Sequence, residues 1–130
     1  MRVFLDANVL FSAAYREGAG LLRLWDLPDS ELITSGYAAE EARRNLESDA
    51  ACSRLERLLE RTTLVAEAPD VPLPRSVRLR EKDWPILRAA IAARASYLVT
   101  GDVRDFGPLL GREVQGVRVL TPAQALQRLS

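Results

Sequence analysis

Five acidic residues, Asp6, Glu41, Asp83, Asp102 and Asp105, are placed so that they could share one cation. Asp6 follows the apolar run Val3-Phe4-Leu5, and Asp102 follows Tyr97-Leu98-Val99-Thr100 by way of Gly101. Glu41 and Asp83 lie on helices predicted to open nearby, and Asp105 is three residues past Asp102. Carboxylates gathered at one place repel one another unless a cation neutralises them. Oxygen-only donors suit the hard ions Mg²⁺ or Mn²⁺. The chain has no histidine, which excludes a zinc-type site and a histidine general base. The chemistry this set could perform is metal-assisted hydrolysis, with proton removal left to a carboxylate or to the metal site itself.

Taken singly, each acid has a plainer explanation. Asp6 or Asn8 could cap the following helix, because both residue types accept from free helical N–H groups. Glu41 shares a charged helix with Glu40, Arg43 and Arg44, and helical spacing does not choose between Glu40 and Glu41. Asp83, just before Trp84-Pro85-Ile86-Leu87, reads as a helix cap ahead of a ligand. Gly101 permits a close turn that brings Asp102 over the sheet edge, which favours function there. Asp105 could cap the turn Phe106–Leu110 or serve the site. Their common placement around one rim is the stronger signal.

The elements that must position them alternate. Apolar β-prone runs recur at Arg2–Leu5, Glu31–Thr34, Thr62–Ala66, Ser96–Thr100 and Val117–Leu120. Helical patterns separate them: Asn8–Tyr15 and Ala19–Trp25 (broken near Gly18 and Gly20), Tyr37–Glu47 after a Ser35 cap, Ala51–Arg61, Asp83–Ala95, and a last helix opened by Thr121-Pro122. Such alternation predicts a five-stranded parallel sheet covered by helices on both faces, with the fully apolar first strand in the centre. In such sheets ligands bind beyond the C-terminal strand ends. The stretch Glu67–Arg80, with Pro69, Pro72 and Pro74, predicts a stiff, extended loop that either lines the site or merely crosses over.

The 130 residues suit one compact domain over 1–130. With 48% hydrophobic and 28% charged residues the composition is that of a globular protein, not a disordered one. Acidic and basic residues balance at 18 each, so strong nonspecific nucleic-acid binding is disfavoured, although sequestering several acids at a metal site leaves the remaining surface basic. All the basic residues but Lys82 are arginine, which suits bidentate phosphate contact and is equally explained by compositional bias. Cys52 cannot form an internal disulfide, being the only cysteine, and belongs on a helix core face. Val3-Phe4-Leu5 is far too short for a signal-peptide core, and no run approaches a membrane span. A cytoplasmic location is the default expectation.

Leu5-Asp6-Ala7-Asn8-Val9-Leu10, Glu41 through Leu46, Asp83 before an Ala-rich helix, and Tyr97-Leu98-Val99-Thr100-Gly101-Asp102-Val103-Arg104-Asp105-Phe106 together resemble the PIN domain. Val117 through Pro122 is similar to the end of one bacterial branch of that family. The resemblance implies an α/β/α sandwich with strand order 3-2-1-4-5 and a ribonuclease, less often a deoxyribonuclease, using Mg²⁺ or Mn²⁺. Carried over by motif, Asp6, Glu41, Asp83 and Asp102 are metal ligands and Asp105 a supporting acid. The alignment on Leu46 selects Glu41 over Glu40. Asn8, Thr100, Arg80, Lys82 and Arg104 are candidate substrate contacts, with Arg43 or Arg44 a weaker pair. Many small members are toxins restrained by an antitoxin, and dimers are common, so both an antitoxin partner and a homodimer belong to what the resemblance implies.

One departure stands out. Many relatives of that branch carry an acid–Pro–x–Asp stretch before the fourth helix, where this chain has Arg80-Glu81-Lys82-Asp83. The approach to the essential Asp is therefore unusually basic. Two rival readings remain. A phosphohydrolase of the haloacid dehalogenase type needs a second Asp two residues after the first, where Asn8 stands. A catalytically silent RNA- or partner-binding module of the same fold is the other.

Overall fold

The computed structural model describes residues 1–130. Its strands are β1 (Arg2–Leu5), β2 (Glu31–Ser35), β3 (Thr63–Val65), β4 (Tyr97–Val99), β5 (Glu113–Val114) and β6 (Val117–Leu120). Its helices are α1 (Ala7–Tyr15), α2 (Gly36–Asn45), α3 (Asp49–Glu60), α4 (Trp84–Ala92) and α5 (Pro122–Leu129). The sheet order is β3-β2-β1-β4-β6-β5, parallel except for β5 against β6. The expected parallel order 3-2-1-4-5 holds once β6 is counted as its fifth strand.

The sixth strand is a correction. Two-residue β5 is added at the edge by a tight hairpin whose central residues, Gln115 and Gly116, both have positive φ, 46° and 89°. A strand this short carries no periodicity to read, and Gln-Gly is not among the strongest hairpin pairs. The break near Gly18 and Gly20 is present, but the segment after it is a 3-10 helix over Gly20–Asp26 and not an α-helix. Arg54 of α3 donates to the last carbonyls of α1, Ala14 O at 2.9 Å and Tyr15 O at 3.0 Å, and so closes α1 before the glycines.

Local chemistry starts the helices where the sequence predicts. Ser35 and Ser48 accept from the backbone N–H three residues on, each at 3.1 Å. Thr121 and Gln124 form a reciprocal capping box. Strand β1 is central and its Val3, Phe4 and Leu5 are fully buried, as a strand covered on both faces requires. The buried apolar side chains form one connected cluster. Helices α1, α2 and α3 pack on one another. The chain steps from β1 to β2 to β3 in one direction, then returns through α4 to β4 on the far side of β1. With right-handed crossovers this reversal puts α4 on the opposite face.

That reversal marks where sheets of this kind bind ligands. Between β1 and β4 neighbouring connections leave in opposite directions, and a crevice opens beyond the strand ends. The proline-bearing stretch before α4 is a crossover and not a wall of this crevice. Its Leu73, Val77 and Leu79 pack on the core, and Trp84 Nε1 donates to Leu79 O at 2.8 Å. No helix is long and apolar enough to cross a membrane. Leu98, fully buried in β4, should cost about 2–5 kcal/mol when replaced by Ala, whereas Leu64→Ala on edge strand β3, 53% exposed, should cost about 0.5 kcal/mol or less. Urea denaturation measures both, and equal costs would contradict this core assignment.

Candidate active site

Asp6 is the first residue past β1 and Asp102 lies just past β4, so adjacent parallel strands deliver both to the reversal point. The peptide N–H of Asp6 still belongs to the ladder, donating to Val99 O at 3.0 Å. Its side chain is 4% exposed. Oδ1 accepts from Ala7 N at 2.7 Å, so Asp6 caps α1, and the cap and ligand readings are compatible in one residue. Oδ2 accepts from the Thr100 hydroxyl at 2.8 Å.

Thr100 is fully buried and also accepts from Asp102 N at 3.1 Å. One hydroxyl therefore orients both aspartates. Asn8 closes the same corner: its Oδ1 accepts from Gly101 N at 2.7 Å, and its amide lies 3.4 Å from Asp6 Oδ2. A Cβ on residue 101 would meet Asn8 Oδ1 at 3.3 Å, which is why glycine suits this turn. Asp102 Oδ1 accepts from Asp105 N at 2.9 Å. Asp102, not Asp105, thus caps the turn leading to Phe106.

The other wall comes from α2 and from the 3-10 turn Glu81–Asp83. Tyr37 donates through its hydroxyl to Lys82 O at 3.1 Å, tying α2 to that turn. Glu41, one helical turn on from Tyr37, faces the same side. Asp83 is 9% exposed and makes no cap bond to α4, against the cap expectation. Pro85 sits in the first turn instead and needs no acceptor. The resulting cleft, about 360 Å³, is lined by Asp6, Asn8, Glu41, Lys82, Asp83 and Asp102, together with Phe11 and Asn45.

Oxygens of Asp83, Asp102 and Asp105 lie within 4.8 Å of one another. Asp6 and Glu41 share the cleft but stand outside that tight group. Burial, opposed by the Thr100 and Ala7 hydrogen bonds and reinforced by Asp83 and Glu41, pushes the Asp6 carboxyl up to about 6. Burial also raises Asp83, with Asp102, Asp105 and Glu41 adding to it and Lys82 opposing it. The same two acids, Glu41 and Asp83, add to the burial that raises Tyr37. Asp83 Oδ2 is buried without a hydrogen-bond partner, although Lys82 Nζ stands 3.7 Å away. A buried carboxylate oxygen without a hydrogen bond, in a cleft that gathers further carboxylates, fits a hard divalent cation.

Several sequence expectations divide here. Glu41 lines the cleft while Glu40 points outward and pairs with Arg43 at 3.5 Å. Arg43 is engaged with Glu56 through two bonds of 2.9 and 3.0 Å, which removes it as a phosphate contact. Thr100, being fully buried, orients the Asp6 carboxylate and the Asp102 backbone and cannot touch a substrate. Arg80 and Lys82 face Asp105, at 4.0 and 3.2 Å, and Arg104 is exposed beside them. Tyr37 and Asn45 were not singled out by sequence. Both lie one helical turn from Glu41, and that spacing is the signal that could have found them; Asn45 donates to Glu41 O at 2.8 Å.

Comparison with known proteins is consistent with this geometry. A model of the PIN domain matches residues 2–104. No curated protein matches. Among solved structures the chain is similar to one in the crystal structure of VapBC2 from Rickettsia felis bound to a DNA fragment from their promoter. The TM-score is 0.60 at 14% identity, covering 93% of this chain and 98% of that one. At that identity the likeness speaks for the fold alone.

The buried acid has a measurable consequence. A carboxyl raised from 3.8 to about 6 binds its proton more tightly folded than unfolded. Its stabilisation is complete below pH 3.8 and is lost as the pH rises through about 6. Ionised Asp6 then costs the fold about 3 kcal/mol at pH 7.5. In chelator, Asp6→Asn should melt several degrees above wild type at pH 7.5, with the advantage shrinking towards pH 4. A variant melting below wild type at pH 7.5 would contradict the burial penalty.

Proposed function

The chain belongs to the PIN domain family, and on that premise we propose that it is a metal-dependent endoribonuclease. Residues 1–130 act as one such domain, hydrolysing RNA phosphodiester bonds with Mg²⁺ or Mn²⁺ held among Asp6, Glu41, Asp83 and Asp102. The observation that carries this reading is the buried, unpartnered Oδ2 of Asp83, facing three further carboxylates across one cleft. Lys82 at 3.7 Å offsets its charge in part but gives it no hydrogen bond, so its retention argues for a ligand. Membership of the family also disposes of the dehalogenase-type alternative.

A divalent ion held by Asp6, Glu41, Asp83 and Asp102 would supply Lewis acidity, acidifying the attacking water and offsetting charge on the phosphate. The chain's own groups do the positioning. Thr100 holds Asp6 and the Asp102 backbone in register, and Asn8 fixes the Gly101 turn that carries Asp102. Asp105 is a supporting acid, kept ionised by its hydrogen bond to Lys82. Arg80 and Arg104 at the mouth contact the substrate phosphates. Water adds to phosphorus in line and the 3′ oxygen leaves with a proton, giving a 5′-phosphate and a 3′-hydroxyl.

The likeness to the VapBC2 structure supports a finer reading, in which this chain is the toxin of a toxin–antitoxin pair in the cytoplasm. An antitoxin segment laid into the cleft would then restrain it, and a homodimer is the assembly proposed for the free protein.

Purified protein should cleave RNA with Mg²⁺ or Mn²⁺ and not with chelator. Asp83→Asn and Asp102→Asn should each lower the rate by roughly 100-fold or more, and Thr100→Val by about 10-fold to 100-fold through loss of ligand orientation. Gel-resolved cleavage of a labelled RNA measures this. Activity that survives chelator would overturn the metal mechanism, and failure to cut any RNA or DNA would favour a binding module.

A further inference from the structure

Lys82 is the only lysine among 18 basic residues. Its ammonium nitrogen stands 3.2 Å from Asp105 Oδ2 and 3.7 Å from Asp83 Oδ2. Asp6, Glu41 and Asp102 have no basic side chain within 4.0 Å. The acidic cleft is therefore divided electrically. One half already holds a compact positive charge, and the other half holds none.

Resting on the nuclease reading of this cleft, we propose that Lys82 takes the place of a second divalent ion, so that the centre binds one ion only. Two-metal phosphodiesterases set their ions about 3.5–4 Å apart, bridged by a shared carboxylate. Asp83 is common to both halves: its Oδ2 stands 3.7 Å from Lys82 Nζ, and it shares the cleft with Asp6, Glu41 and Asp102. An ion held by Asp83 and Asp105 together would need both oxygens at about 2.1 Å. That places it against the ammonium, where like charges meet in a partly desolvated cleft. The ion consequently goes to the other side of Asp83.

Local structure keeps the ammonium there. Lys82 lies in the 3-10 turn beside Asp83, and its carbonyl accepts from the Tyr37 hydroxyl at 3.1 Å. A lysine head is a compact point charge with three donors. It can bridge two carboxylates and still face a phosphate entering the cleft, as the second ion of a pair would. The other 17 basic positions carry a planar guanidinium, which is a fork of donors and not a point charge.

The test is Mn²⁺ alone, titrated calorimetrically into wild type and Lys82→Gln in the absence of RNA. The Lys82 side chain is 56% exposed, so the variant is expected to fold, and its melting curve in chelator checks this. Wild type should bind one Mn²⁺ per chain and give the uncoupled electron-spin spectrum of isolated ions. Lys82→Gln should bind two and show a spin-coupled pair. Two ions in wild type, or one in Lys82→Gln, would overturn this inference while leaving the nuclease reading intact. A wild-type protein that takes up no Mn²⁺ would overturn both.

Discussion

Burial of negative charge at the reversal point of a parallel sheet is the constraint on which the rest of this molecule turns. Asp6 and Asp83 are 4% and 9% exposed, and each carboxyl titrates above its ordinary range because water is kept from it. A fold selected for stability alone would place a neutral side chain at both positions. That cost is what the proposed role of the cleft, holding a cation, would explain. Stability and site chemistry here pull in opposite directions on the same atoms.

The geometry is made by the backbone and by neutral hydrogen-bonding groups, with ion pairs confined to one edge. β1 and β4 are neighbours, so the residues after them are neighbours too. Thr100 then ties the Asp6 carboxylate to the Asp102 backbone, and Asn8 secures the turn over which Asp102 hangs. These contacts are short-range and buried, and such second-layer bonds tune ligands in metal sites generally. The far wall is tied by a single tyrosine hydroxyl to the peptide of Lys82. That bond links the placement of Glu41, on α2, to the placement of Asp83.

Much of this was legible in the chain. Strand β1 was readable to the residue because Val3-Phe4-Leu5 is uninterrupted and ends on a charge, and the serine and threonine caps marked where α2 and α5 begin. The central place of β1 followed from its apolar run. Less legible were features set by partners distant in sequence. Asp83 read as a cap from its position, yet its side chain makes no cap bond; the preceding 3-10 turn and its tie to Tyr37 turn it inward. Arg43 looked like a free cation until Glu56, on the next helix, was seen to hold it. The hairpin that adds β5 rests on two positive-φ residues, one of them not glycine, which local propensity does not favour. The separation of Asp6 and Glu41 from the tighter Asp83, Asp102 and Asp105 group depends on tenths of a nanometre that spacing along a chain does not encode.

The most direct measurement of the central claim is anomalous scattering from crystals grown with Mn²⁺. The account predicts a manganese peak within bonding distance of Asp83 Oδ2, on the side of Asp6 and Asp102. A cleft that stays free of manganese at saturating concentration, or a peak bound elsewhere on the surface, would contradict it.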